Sequence, residues 1–384
     1  MHEARAHADG IGTVRRAGAA GRSHAWRAIV AAAVLACAMP VLPAQDDALR
    51  EAEALLLAQR TRPDAAQFER AKALAAAALE RTPHEAAAWL LLAWAHMIEH
   101  RFSDALAAAE AAARLAPVEP RALALMSDAL VELGRYDEAV AVTQRHLDLD
   151  PDIPAWTRAA HLRFLHDDLA GAIELMALAA RAGPRRGESK AWVWAQLARL
   201  FWHAGDGGAA QQAIDAAQQA YADLPLTLQE QARLHLSTGD AAAALALYER
   251  AIALQPAAEE ALAAWRIARQ LGERGKERHL AMLIEALARL DTGGLSRRAI
   301  AEYLVEIGDT ERALALARAE LAARPDLYSH ATLARVLAHA GEHRAAAHHA
   351  CAALALNTPD RDLQTDLRPL LTPPCVVAAP EARR

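Results

Sequence analysis

The chain has 384 residues, of which 54% are hydrophobic and only 4% aromatic, with a formal net charge of −6. Acidic and basic residues are interspersed, so there is no basic stripe to track a phosphate backbone, and no nucleic-acid partner is expected. The three cysteines, Cys37, Cys351 and Cys375, are too few for a disulfide framework or a cysteine zinc cage.

Residues 1–45 read as an export signal and leader. Arg15, Arg16, Arg22 and Arg27 precede a short apolar core at 28–38, followed by small residues and proline. That core is too short to span a bilayer. Cleavage is expected after Ala38 or Ala44, and the long stretch before Arg27 suggests a downstream start, with Val14 as an alternative. The run Ala33-Val34-Leu35-Ala36-Cys37 also resembles a bacterial lipoprotein signal, in which Cys37 would carry lipid. The reading preferred for Cys37 is a residue inside a discarded signal.

From 46 to 359 the chain is expected to be helical throughout. Alanine and leucine supply the apolar surface, alanine is the best helix former, and there is no sustained period-two alternation. The clearest unit is 86–117. Apolar residues recur at three-and-four spacing through Trp89, Leu92, Ala93 and His96, break at 100–102, and resume through Ala105, Ala109 and Ala112 to Pro117. Pro83, Pro117 and Pro151 stand 34 residues apart, and Pro184, Pro256 and Pro325 fall near the same beat. Turn glycines at 134, 205, 239, 308 and 341 are separated by one or two near-multiples of that period.

This spacing resembles the 34-residue tetratricopeptide repeat: Trp at position 4, Leu at 7, a small residue at 8, Ala at 20 and 27, and Pro at 32. Nine helix pairs are counted on this register. The first lacks the signature Trp and Gly, 183–190 inserts a flexible joint before the fifth, and the seventh is degenerate. Residues 360–371 are expected to form a capping helix and 372–384 a loose tail.

The resemblance implies an all-α, right-handed superhelical solenoid with a concave groove, built because a single hairpin cannot bury its apolar face alone. On the family's register Trp89, Trp156, Trp194 and Trp265 are core. The groove set is Leu90, Trp94, Met97 and Ile98 in the second unit, His161, Phe164 and Leu165 in the fourth, Trp192, Arg199, Trp202 and His203 in the fifth, and Gln229 and Arg233 in the sixth. Aromatic anchors beside arginines suit an extended or helical peptide.

Two stretches tempt a chemical reading. His96-Met-Ile-Glu99-His100 matches H-x-x-E-H, a zinc-peptidase pattern, yet His96 falls at a packing position and His100 at the turn, and no third ligand is designated. His339, His343, His348 and His349 surround a turn near Cys351, where a solvated polar face is the default. Gly272-Glu-Arg-Gly-Lys276 lacks the strand context of a phosphate loop, and no G-x-S-x-G elbow is present. Cys351 and Cys375 are expected as free thiols, because a bridge needs the tail to fold back.

The expected function is an exported, periplasmic, non-catalytic scaffold that holds a protein or peptide in the groove, with no cofactor, metal or small-molecule substrate. The alternatives are a zinc-dependent hydrolase using His96, Glu99 and His100, and an envelope tether lipidated at Cys37; only the latter would involve a membrane.

Overall fold

The computed structural model describes residues 47–59, 64–291, 293–371 and 375. The export segment with Cys37, and all of 372–384 except Cys375, lie outside the described residues. Among the described residues there are nineteen α-helices. Eighteen form nine successive hairpins: α1 (Asp47–Ala58) with α2 (Ala65–Arg81), α3 (Ala86–Ile98) with α4 (Phe102–Leu115), α5 (Pro120–Glu132) with α6 (Tyr136–Leu149), α7 (Ile153–Leu165) with α8 (Leu169–Arg181), and α9 (Glu188–Ala204) with α10 (Gly207–Ala220). The remaining four are α11 (Pro225–Ser237) with α12 (Ala241–Leu254), α13 (Ala258–Leu271) with α14 (Arg274–Leu290), α15 (Arg297–Glu306) with α16 (Thr310–Ala323), and α17 (Leu327–His339) with α18 (His343–Ala353). A final α19 (Arg361–Leu367) runs into a 3-10 turn, Arg368–Leu370. None of the described helices is long and apolar enough to cross a membrane.

Local chemistry accounts for the punctuation. Each hairpin from the second to the ninth turns through one left-handed residue, in order His100, Gly134, Asp167, Gly205, Gly239, Gly272, Gly308 and Gly341. His100, the last residue of the H-x-x-E-H pattern, thus holds a turn position that six hairpins give to glycine. Asp168, Asp206, Asp240 and Asp309 follow these turns, and each carboxylate accepts a backbone N–H in the first turn of the next helix. Pro120 and Pro225 open α5 and α11, where a missing N–H costs nothing.

Second-helix alanines make close packing possible. Ala71, Ala105, Ala172, Ala179, Ala217, Ala244 and Ala251 are buried completely, so their helices approach neighbours with no side chain to hold them apart. Three hairpins break the pattern at its second alanine: the seventh, whose second helix lacks the signature alanines, and two others that place His146 in α6 and Glu320 in α16. Both side chains are buried, and Glu320 contributes to the closure described next.

The array does not stay open. One core cluster runs through α1–α6 and another from α11 to α18, but the middle cluster joins α7–α11 to α17, α18 and α19. The last hairpin therefore shares a core with the fourth and fifth, with α19 packed on α17. At this seam Arg324 pairs with Glu132, the Leu327 N–H donates to the Tyr136 hydroxyl at 2.8 Å, and the Arg324 guanidinium lies 5.2 Å from the Phe102 ring centroid. Gly134 sits so close to the chain at Pro325 that a Cβ there would run into the Pro325 carbonyl oxygen. Where the repeat pattern implies one continuous trough, the curvature returns the eighth and ninth hairpins onto the third and encloses the middle of it.

Candidate functional site

The enclosed space is a cavity of about 580 Å³ bounded by the first helices of the third, fourth, fifth, seventh, eighth and ninth hairpins. Its walls are charged but balanced. Arg158 binds Asp128 at 2.6 Å, Arg266 binds Glu302 at 2.9 Å, Arg298 reaches Asp326 at 3.4 Å, and Arg335 binds Glu302 at 2.7 Å. Burial pushes Glu132 up, yet the Arg324 guanidinium outweighs it and holds the carboxyl below its ordinary range. His161 faces this cavity with titration pushed down to about 4, by burial and then by Arg199, so its imidazole is neutral near pH 7.

Beside the cavity the concave face is covered by the chain's own C-terminus. Residues 358–360 lead into α19, a short acidic helix whose apolar side, Leu363 and Leu367, is buried in the same cluster as Phe164, Leu197 and Ala331. Its aspartates spread over three concave helices. Asp360 caps α19 and lies 3.8 Å from Arg199 of α9, Asp362 pairs with Arg233 of α11, and Asp366 pairs at 3.0 Å with Arg335 of α17. The Tyr328 hydroxyl donates to Asp360 at 3.3 Å, and Thr358 donates to the Phe164 carbonyl at 3.2 Å.

Trp202 anchors the other edge. The guanidiniums of Arg233 and Arg361 lie over its ring, 4.9 and 5.0 Å from the centroid. Beside it the His203 Nδ1 accepts the Arg361 backbone N–H at 3.2 Å, and Arg361 also donates to the Trp202 carbonyl at 3.0 Å. Accepting requires a neutral ring, and burial, then Arg199 and Arg233, push His203 down to about 3.

Seven helical residues are too few to hold a helix in isolation, so α19 owes its form to its contacts with the concave face.

The residues expected to line the groove divide into two sets. His161, Phe164, Trp192, Arg199, Trp202, His203 and Arg233 gather around the cavity and the α19 face. Leu90, Trp94, Met97 and Ile98 instead lie in the core, Trp94 at 3% exposure, because α3 is flanked by α1 and α5 and its inward side packs laterally against them. Of the tryptophans expected in the core, Trp265 is buried, whereas Trp89, Trp156 and Trp194 are half-buried; the Trp89 indole donates to the Pro83 carbonyl at 3.1 Å.

The H-x-x-E-H residues are occupied with structure. Glu99 pairs with Lys72 at 2.5 Å and lies 3.3 Å from the His96 ring nitrogen, while His100 packs on Phe102 with titration pushed to about 3 by burial and then by Arg324. Among the described residues no three His, Cys, Asp or Glu side chains cluster to hold a metal. In the ninth hairpin His349 meets His330 at 2.9 Å between Nδ1 atoms. Cys351 and Cys375 form a disulfide with Cα atoms 5.8 Å apart, against the expectation of free thiols. The chain after α19 turns back along α18, which supplies the approach the bond requires.

Comparison with known proteins agrees with this architecture. One tetratricopeptide-repeat family model matches residues 96–162 and a second matches 227–257. Nine stacked hairpins on that repeat make the chain a member of the tetratricopeptide-repeat proteins. Yeast Tom70 is similar over 87% of this chain and 72% of its own, at 14% identity and TM-score 0.55. Human IFIT1, solved as a dimer with PPP-AAAA, is similar over 81% of this chain and 73% of its own, at 15% identity and TM-score 0.53. The chain spans 64% of the matched chain of the APC/C hetero-tetramer Cut9-Hcn1, at 15% identity and TM-score 0.49. No curated protein matches in sequence.

The α19 face was legible only in part. Asp360-Arg-Asp-Leu-Gln-Thr-Asp-Leu367 carries its own signal, an N-cap aspartate followed by leucines four apart. Its docking partners on α7, α9 and α11 lie more than 120 residues away along the chain, and no local pattern names them.

Proposed function

We propose that this protein is a non-catalytic scaffold that holds a protein or peptide on the concave face formed by α7, α9, α11 and α17. One observation carries the reading: that face already binds a peptide segment, α19, through Phe164, Trp202, His203 and Arg233. The tetratricopeptide fold supports it, since such scaffolds bind proteins or peptides. Most of the cavity's arginines are already matched by carboxylates, which favours a polypeptide over a polyphosphate. We also propose export to a bacterial periplasm, with the leader-like 1–45 and the Cys351–Cys375 bond in support, because such bonds persist in oxidising compartments.

The test is site-specific photocrosslinking in the native cell from a probe replacing Trp202, followed by mapping of the adduct. A single polypeptide crosslinked at Trp202, and lost when Arg233 is also replaced by Ala, is the expected result. Crosslinks confined to the convex second helices would overturn the groove reading. Cell fractionation with N-terminal sequencing checks the location, and an intact leader in the cytosolic fraction would sink it.

A further inference from the structure

The geometry of α19 also describes what its competitor must look like. It enters the concave face as an amphipathic helix with one apolar and one acidic register. Leu363 and Leu367, four apart, share a side and are buried, while Asp360, Asp362 and Asp366 reach Arg199, Arg233 and Arg335 on three separate helices. Those arginines are spaced by the scaffold, so they read the separation of acidic groups along a helix as well as their charge. Arg199 is incompletely matched: its Nε is buried without a hydrogen-bond partner among the described residues, and its nearest carboxylate oxygen is 3.8 Å away. A ligand with a longer acidic side chain at the Asp360 position would satisfy it better than the chain's own segment does.

We propose that the partner is an acidic amphipathic helix of the pattern Asp/Glu-x-Asp-Leu-x-x-Asp-Leu, and that α19 is an intrachain occupant which this partner displaces. The inference rests on the concave-face reading and adds the partner's chemistry to it. An intramolecular occupant acts at an effective concentration of order millimolar, so only a helix with better-placed acidic groups, or one presented by a protein with further contacts, competes well. The face is thereby shielded from stray apolar helices lacking the acidic register, a form of selection by competition.

The test uses the full chain and a fluorescent synthetic peptide, Thr-Pro-Asp-Arg-Asp-Leu-Gln-Thr-Asp-Leu-Arg-Pro-Leu-Leu, copied from 358–371, with a control carrying Asn at its three Asp positions. In the Leu363→Ser/Leu367→Ser protein, which releases α19, the acidic peptide should bind at least 10-fold tighter than to the unaltered protein, and at least 10-fold tighter than the Asn control. A peptide with Glu at the first Asp position should bind tighter still. Should that variant lose helicity, Asp360→Asn/Asp362→Asn/Asp366→Asn, which keeps both leucines, opens the face by charge alone and takes its place. Arg233→Glu in the released protein should abolish binding of the acidic peptide and regain it when the peptide carries Lys at the second Asp position. Equal binding of acidic and Asn peptides by a folded, released protein, or binding by neither, overturns the acidic-helix proposal. A partner still crosslinked at Trp202 would in that case leave the groove reading standing, and loss of both results would remove the two together.

Discussion

Arg324, just past the end of α16, donates from its guanidinium to Glu132 at the end of α5, 192 positions earlier in the chain. Both side chains are nearly buried, and Asp326 and Glu320 stand 3.6 and 3.7 Å from the same guanidinium. Arg324 thus ties together carboxylates from the third, eighth and ninth hairpins, with Arg298 sharing Glu320 and Asp326, and the closure depends on it.

Replacing Arg324 by Met should accordingly cost about 3 kcal/mol or more, because it strands buried acids rather than merely removing a contact. Glu132→Gln/Arg324→Met should recover much of the loss. Urea denaturation of the single and double variants measures this; a single variant within 1 kcal/mol of the unaltered protein would show that the pair does not hold the seam.

Gly134 and Gly239 supply a controlled comparison. Both have positive φ, 66° and 84°, so alanine at either pays the left-handed cost of about 1 to 2 kcal/mol. Only at Gly134 does a Cβ meet backbone, at Pro325, whereas nothing lies within 4 Å at Gly239. Gly134→Ala should therefore be the more damaging by a further ~1 to 3 kcal/mol, and equal effects would argue against close approach in solution.

Acid should loosen α19. His203 titrates at about 3 in the folded chain and rises towards its ordinary 6.5 as release of α19 uncovers it. The released state thus binds the proton first, and docking is weakened progressively as pH falls from about 6.5 towards 3 while staying flat above 7. Hydrogen exchange at the Leu363 amide, corrected for intrinsic rate, should quicken over that window; a pH-independent rate would refute the role given to His203.

Glu260 runs in the opposite sense. Burial, then the neighbouring Glu259, raise its carboxyl to about 8. Its folded pKa lies above the unfolded one, so its contribution is fully present below about 4.5 and is lost as pH rises through 8. Glu260→Gln should raise the melting temperature by about 2 °C or more at pH 8 and leave it unchanged near pH 4. A uniform shift at both values would contradict the assignment.

The Cys351–Cys375 bond closes a loop with sequence separation 24 around α19. Chain entropy assigns such a bond about 3 kcal/mol against release of the enclosed segment. Reduction, or Cys375→Ser, should speed amide exchange at Leu363 and Leu367 by up to roughly 100-fold and leave α3 and α4 untouched. Unchanged exchange would mean the bond does not restrain α19.

The hairpins were readable from the chain because their determinants are local. A 34-residue beat, Asp after four of the turns and alanines at the tightest crossings all act within one unit and its neighbour. Trp94, Met97 and Ile98 were misjudged because the same inward stripe serves as groove where a first helix faces open space and as core where α1 and α5 flank it. The contacts of Arg324 with Glu132, and of Asp362 with Arg233, join residues 192 and 129 positions apart. They follow from accumulated curvature, which no single repeat encodes.

That closure changes how the family's modular logic applies here. A linear array can gain or lose a unit by recombination, since each hairpin answers only to its neighbours. Between the third and eighth hairpins, adding or deleting one would carry Pro325 off Gly134 and leave Glu132 without its cation. Evolution can vary many side chains of this protein, but the copy number between those hairpins is locked, as the stave count is in a barrel.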